Sequence, residues 1–303
     1  VTRVRDVRTG TPSRATLDKA ADENFPVAPF FLPRAWRDDL MAVYGFARLV
    51  DDIGDGDLAP GGADARHLGV AQADADDRLV VLDAFETDLR RVFDGTPQHP
   101  LLVALRPTVR RCGLTPEPFL GLIAANRQDQ RVRRYETYEE LLAYCELSAN
   151  PVGRLVLAIT GTTSPERVRR SDAICTALQI VEHLQDVKED LGRDRIYLPA
   201  EDMSRFHVTQ ADLAAPTGSA SVRALVAFEA ERAGSLLNEG TPLVGSVHGR
   251  LKLLLAGFVA GGRAALDAVA AAGHDVLPGP PKPTRARLLR EVGAVLRRAR
   301  REG

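Results

Sequence analysis

At 303 residues with 45% hydrophobic side chains, the chain can bury a sizeable core as one large domain or two small ones. Its formal net charge of −1 carries no basic excess of the kind that binds nucleic acid. The three cysteines, Cys112, Cys145 and Cys175, are far apart and form no C-x-x-C. That argues against a disulfide framework or a cysteine zinc site and for a reducing compartment.

Val1 to Arg14 is polar and arginine-bearing and does not read as a secretory signal. No apolar run reaches the ~18 residues that would span a bilayer, so a soluble or peripherally membrane-associated protein is expected. Leu, Ala, Val and Arg recur at helical spacing, and alternating β-branched runs are scarce, which predicts an all-α fold. Pro33 precedes a helix through about Val50. Residues 54–77, with Gly54, Gly56, Pro60, Gly61 and Gly62, read as a loop. Helical patterns follow over Leu79–Phe93, Leu101–Cys112 and, behind Pro116, Glu117–Gln130. Tyr138–Gly161 and Pro165–Leu191 are two longer periodic segments. Leu191–Phe206 reads as a loop holding Arg195-Ile196-Tyr197-Leu198-Pro199. Val222–Asn238 and Val247–Ala272 are helical. Pro278 to Pro283 is a linker, and Ala286–Arg301 is a terminal helix.

Two clusters of the form D-x-x-x-D stand out: Asp51-Asp52-Ile53-Gly54-Asp55 and Asp186-Val187-Lys188-Glu189-Asp190. Residues four apart share a helix face. At about 100° per residue, Tyr44, Arg48, Asp51 and Asp55 lie on one stripe. A solvated face with Arg48 as an intrahelical partner is the plainer alternative. The apolar run before the stripe and the crowding of acids where a helix ends weaken it, because such acids oppose the helix dipole unless a cation is present. Gln179, Glu182, Asp186, Glu189 and Asp190 form a second stripe. Clustered carboxylates without His or Cys suit Mg²⁺, which takes oxygen ligands and often phosphate oxygens as well. Lys188 and Arg193 could instead neutralise the stripe. His183 reads as a packing residue.

Between the acid groups lies Tyr144-Cys145-Glu146-Leu147-Ser148-Ala149-Asn150-Pro151-Val152-Gly153-Arg154. Pro151 either bends a helix or starts a new one, with Asn150 as cap. Tyr144, Ser148 and Pro151 share a face, a candidate cavity wall. Arg195 can bind phosphate oxygens bidentately, or be a surface arginine beside a half-buried Tyr197. Asn126, Arg127, Gln128 and Asp129 are a polar group ending an apolar helix. Residues 282–303 hold eight Lys/Arg and two Glu around a stripe of Leu288, Leu289, Val292, Val295 and Leu296. Such a helix can lie on an anionic membrane or dock on the protein body. No dinucleotide or P-loop fingerprint is present.

Tyr44-Gly45-Phe46-Ala47-Arg48-Leu49-Val50-Asp51-Asp52-Ile53-Gly54-Asp55 resembles the first signature of the squalene/phytoene synthase family. Gln179 to Asp190 with Arg195 to Pro199 resembles its second. Order, spacing and the Tyr144-Cys145 helix between them match over roughly residues 23–275. The chain is most similar to the hopanoid-pathway branch, HpnC. That rests on Glu23-Asn24-Phe25-Pro26-Val27, on Ser148 to Arg154, and on Gln185, where many relatives have Arg. Glu182 is a departure, since many relatives carry Asn there.

The resemblance implies an isoprenoid-synthase fold over residues 1–277, with helices around an apolar cavity and 278–303 as linker and basic helix. It implies Mg²⁺ held by Asp51, Asp52, Asp55, Glu182, Asp186 and Asp190, and a lipophilic diphosphate contacted by Arg48, Arg195 and Tyr197. Tyr44, Phe30 and Phe46 would offer aromatic faces to a cation, and Tyr144 or Asn150 would position water. The implied reaction takes presqualene diphosphate and water to hydroxysqualene. Head-to-head synthesis of presqualene diphosphate, squalene or phytoene, and a non-catalytic assembly role, stay open. A cytoplasmic protein, peripheral at the inner membrane face, and two pathway partners, a presqualene diphosphate synthase and a hydroxysqualene dehydrogenase, are expected.

Overall fold

The computed structural model describes residues 29–58 and 62–300. Glu23-Asn24-Phe25-Pro26-Val27 and the Val1–Arg14 stretch lie outside the described residues. Those described form helices and no strand, with one isolated parallel bridge between Arg134 and Ile196. The chain divides into two compact units, with the boundary between Ile123 and Ala124.

The first unit is built on α1 (Arg34–Asp55), α2 (Ala63–His67), a 3₁₀ turn (Gln72–Asp74), α3 (Arg78–Asp94) and α4 (Pro100–Cys112). Asp77 starts α3 by accepting from the Leu79 and Val80 amides at 3.0 and 3.2 Å, so two of the helix's orphan donors are satisfied. Pro100 at the first turn of α4 has no amide hydrogen to satisfy. The unit's core closes around Phe46, fully buried between Phe85 (5.5 Å, stacked) and Phe119 (5.0 Å, edge-on). That corrects the expectation of Phe46 as an aromatic face in a cavity. It sits two residues, about 200°, from Tyr44 on the helix and serves the opposite side. Phe30 is 88% exposed.

Helix α1 runs five residues past Val50, so all three of its acids are helical. The stretch from 54 to 77 carries α2 and the 3₁₀ turn instead of being loop throughout.

Helix α5 (Pro116–Asp129) crosses the unit boundary. The second unit holds α6 (Tyr138–Ser148), α7 (Asn150–Ile159), α8 (Pro165–Gln185), α9 (Val187–Gly192), α10 (Ala200–Arg205), α11 (Gln210–Leu213), α12 (Ala220–Gly240), α13 (Pro242–Gly245), α14 (Gly249–Ala271) and α15 (Arg285–Ala299). Two periodic segments are divided, Tyr138–Gly161 at Ala149 and Pro165–Leu191 at Asp186, and the loop expected over Leu191–Phe206 carries α10. At the first break Pro151 cannot donate, and Ala149 takes φ −114°, ψ −49°. Asn150 is not a cap there. It is the first residue of α7 and makes no capping hydrogen bond.

Helix α8 is the unit's spine. A Cβ at Gly240 of α12 would fall on Ile174 and the Arg170 carbonyl, so the two helices meet backbone to backbone. A Cβ at Gly153 of α7 would fall on Ser171 and Cys175 from another side.

Helix α14 corrects the expectation that no apolar stretch could span a bilayer. It is long and apolar enough to cross one by length and composition alone, yet most of its apolar stretch is buried. Leu251, Leu254, Val259 and Val269 are core residues, so the length and apolarity serve packing within the unit. Helix α15 docks on it. Val295 and Ala299 are buried, and Arg287 donates to Asp267 at 2.9 Å. The apolar stripe of the terminal segment is therefore largely spent on the protein body, and Leu289 alone among its large residues is 72% exposed.

Candidate active site

In the first unit the acids end α1 with no basic residue of their own in the last turn. Arg48 Nη2 lies 2.9 Å from Asp52 Oδ1, four residues on. Burial works to lower the Arg48 pKa, but Asp52 and Asp51 outweigh it and hold the guanidinium above its ordinary value. Asp51 is exposed, while Tyr44, Asp52 and Asp55 are partly buried.

The helix stops at Gly56, whose φ of 78° is left-handed. A Cβ there would fall 2.6 Å from the Arg78 guanidinium, which donates to the Gly54 carbonyl at 3.1 Å. A cation thus lies across the negative end of the helix dipole, among the acids. Arg78 arrives from the start of α3, and no local pattern around the acid motif announced it.

In the second unit the acids straddle the α8–α9 joint. Asp186 leaves helical geometry at φ −104°, ψ 12°. Its amide still donates to the Glu182 carbonyl at 2.9 Å, and its carbonyl accepts from the Asp190 amide at 2.8 Å. The four-residue spacing therefore survives the break. Asp186 and Asp190 are partly buried, while Glu182 and Glu189 are exposed. Burial raises the Asp186 pKa, and the neighbouring Asp190 and Glu189 charges raise it further. Negative charge is concentrated here, and every carboxylate donor is oxygen, which fits Mg²⁺. Arg193 draws Glu189 aside in a 3.2 Å pair.

Beside this joint a cluster of rings surrounds one carboxylate. Asp129, at the end of α5, is buried and accepts hydrogen bonds from the Tyr144 hydroxyl at 2.9 Å and the Tyr197 hydroxyl at 3.1 Å. Burial raises its pKa against the opposing pull of Arg195 and the two hydroxyls. Burial likewise lifts Tyr144 and Tyr197 above the ordinary phenol value, with Asp129's charge adding to it. Tyr197 is held by its segment. The Ile196 amide donates to the Arg133 carbonyl at 2.9 Å and the Ala200 amide to the Tyr135 carbonyl at 2.8 Å. Tyr135 stacks on Tyr197 at 5.8 Å.

His183 completes the group. Its ring lies 3.7 Å from that of Tyr197, and its Nδ1 is 3.7 Å from Asp190 Oδ2. His183 is thus a packing residue with a second, polar role. Asn150 is buried, its Oδ1 accepting from the Thr176 hydroxyl at 3.0 Å. The Ser148 hydroxyl is buried and makes no hydrogen bond within the described residues.

The second unit therefore brings together Tyr144, Arg195, Tyr197, Asp186 and Asp190 from the residues singled out in the sequence, and adds Asp129 and His183. Asp129 stood out only as part of a polar helix end. His183 lies about 60° from Asp186 on the helix and about 20° from Asp190, an angle that placed it on the stripe all along.

The squalene/phytoene synthase family profile matches residues 18–290. Hydroxysqualene synthase from Zymomonas mobilis is 36% identical over 231 residues, covering 75% of this chain and 71% of that protein. Phytoene synthase from Arthrospira platensis is 30% identical over 239 residues, covering 75% and 72%. The crystal structure of squalene synthase HpnC from Alicyclobacillus acidocaldarius superposes with a TM-score of 0.75 at 40% identity, covering 89% of this chain and 94% of that one. Its helical architecture, its two acid motifs and these matches place the chain in the squalene/phytoene synthase family, with the all-α isoprenoid-synthase fold.

Proposed function

We propose that this protein is a Mg²⁺-dependent enzyme that converts presqualene diphosphate and water to hydroxysqualene and diphosphate, in the cytoplasm. The observation that carries the water-capture step is the buried Asp129 carboxylate, gripped by two tyrosine hydroxyls on the same side of the unit as Asp190.

On this reading Asp186 and Asp190, with Glu182, are metal ligands, and Asp51, Asp52 and Asp55 on α1 have the same task. Bound Mg²⁺ supplies charge neutralisation for the departing diphosphate. Arg48 and Arg195 bind diphosphate oxygens, and Arg195 offsets part of Asp129's charge. Loss of diphosphate leaves a carbocation, to which the partly exposed Tyr44 ring offers a face. Water adds its oxygen to that cation, giving a protonated alcohol. Asp129 accepts the surplus proton, a task that its raised pKa suits better than an ordinary carboxylate. The tyrosine hydroxyls hold Asp129 and orient the water.

The rival is head-to-head synthesis from two prenyl diphosphates, favoured by the 30% identity to a phytoene synthase. Purified protein with Mg²⁺ and no NADPH, given presqualene diphosphate or farnesyl diphosphate separately, decides. Hydroxysqualene from the first alone supports the proposal. Presqualene diphosphate from the second supports the rival, and turnover of neither supports a non-catalytic assembly role.

A further inference from the structure

A second group of metal-ligating side chains lies in the first unit, built from residues that the acid motifs do not use. Asp64 and His67 sit three apart on α2 and so share a face. His99 immediately precedes α4. One ligand atom from each lies within 4.8 Å of the other two. His99 Nε2 is 3.1 Å from Asp64 Oδ1, and the two imidazole rings meet edge to face at 5.6 Å.

We propose that Asp64, His67 and His99 bind a borderline transition-metal cation of the Zn²⁺ class. Two imidazoles and a carboxylate are a zinc donor set, with a fourth position left for water. Mg²⁺, which seeks an all-oxygen shell, has no claim on it. Donor atoms of a tetrahedral zinc site stand ~3.3 Å apart, as follows from its ~2.0 Å bonds, so one residue must move inward. His67 is exposed and free to swing. His99 is 4% exposed, backed by the Phe85 ring at 5.8 Å, and its amide donates to Asp88 at 2.8 Å.

The protons are accounted for. The Leu101 amide donates to His99 Nδ1 at 3.3 Å, so the neutral ring carries its hydrogen on Nε2 and donates it to Asp64. That contact already orients the Asp64 carboxylate toward His99 as a ligand oxygen. A cation takes the place of the Nε2 hydrogen, which moves to Nδ1. The contact given up is the amide of Leu101, a first-turn donor that solvent or the chain can satisfy otherwise. Loading would pin α2 to the head of α4, fixing the segment that follows the first acid helix.

The test is calorimetric titration of the full-length protein with Zn²⁺ alone, in excess Mg²⁺ so that hard oxygen sites are filled. One Zn²⁺ should bind per chain. His67→Ala should weaken it by at least the roughly 10–100-fold that loss of even an outer-shell partner costs. Zn²⁺ should also raise the melting temperature of the wild type and not that of His67→Ala. Zn²⁺ bound equally by the wild type and His67→Ala, or not bound at all, overturns the proposal. Because His67 is exposed and outside the proposed active site, neither result bears on the synthase reading.

Discussion

The imidazole of His183 lies flat on the phenol of Tyr197, with centroids 3.7 Å apart and planes 9° from parallel. The Gln179 side-chain nitrogen, a donor, approaches His183 Nε2 at 3.2 Å, which leaves the ring hydrogen on Nδ1, the edge facing Asp190. One face of His183 thus steadies a ring bonded to Asp129, while its edge addresses an acid of the α8–α9 joint. His183→Phe should keep the stack and lose the edge, whereas His183→Ala loses both. An aromatic pair is worth about 0.5–1.5 kcal/mol beyond its buried area. The expected order of turnover is therefore wild type, then Phe, then Ala. Equal turnover in the Ala variant would show that Tyr197 needs no such support.

Asp129 is the residue on which the water-capture step stands. Asp129→Asn keeps the shape and one acceptor oxygen, with the other hydroxyl left to accept from the new NH₂, and removes the base. Turnover of presqualene diphosphate to hydroxysqualene should fall by about 100-fold or more, with helix content by circular dichroism unchanged. Wild-type rates would remove Asp129 from the mechanism. Tyr144→Phe leaves the carboxylate with one hydroxyl fewer and should cost about 1–3 kcal/mol of stability, read from urea unfolding.

Much of the scaffold was legible because its signals are local. The starts expected at Leu79, Leu101 and Glu117 each fall one residue inside α3, α4 and α5, which begin at Arg78, Pro100 and Pro116. The acid stripes were legible for the same reason, since helical spacing is a local property. Pro151 offered the break at Ala149 as one of two readings, but the break at Asp186 was not legible, because the four-residue backbone bonds on either side of Asp186 persist through it. Asp129, Tyr144 and Tyr197 come from three separate segments, so nothing in any one of them reveals the cluster. Arg78 closes α1 from outside the motif in the same way.

The acid pairs carry the clearest loss-of-function expectation. Asp51→Asn or Asp186→Asn removes one charge from each group without changing its shape. Turnover should be abolished while the circular dichroism spectrum persists. Full activity in both variants would sink the metal-ligand assignment.

Close backbone contact makes Gly240 a stability test independent of any reaction. A methyl group there meets Ile174 and the Arg170 carbonyl, and a carbonyl cannot rotate away. Overpacking of this kind costs about 1–3 kcal/mol. Gly240→Ala should lower the urea midpoint accordingly, and an unchanged midpoint would mean that α8 and α12 can part at little cost.

Glu229 gives a pH dependence with a definite sign. It is buried on α12 beside Asp202, with Arg232 donating to both, to Asp202 at 2.6 Å and to Glu229 at 3.1 Å. Arg232 also lies over the Tyr138 ring at 4.1 Å. Burial pushes Glu229 up from 4.5 to about 8, with the pull of Arg232 against it and the proximity of Asp202 in favour. A raised folded-state pKa means that the folded protein holds the proton more tightly than the unfolded chain. The resulting stability is fully present below pH 4.5 and is lost as the pH rises through about 8. Unfolding free energy should therefore decline across that window by an amount on the order of a few kcal/mol. Glu229→Gln cannot titrate, so its urea midpoint should fall less steeply from pH 5 to 9. Parallel slopes for the two proteins would show that Glu229 is already ionised in the fold, with Arg232 fully compensating its burial.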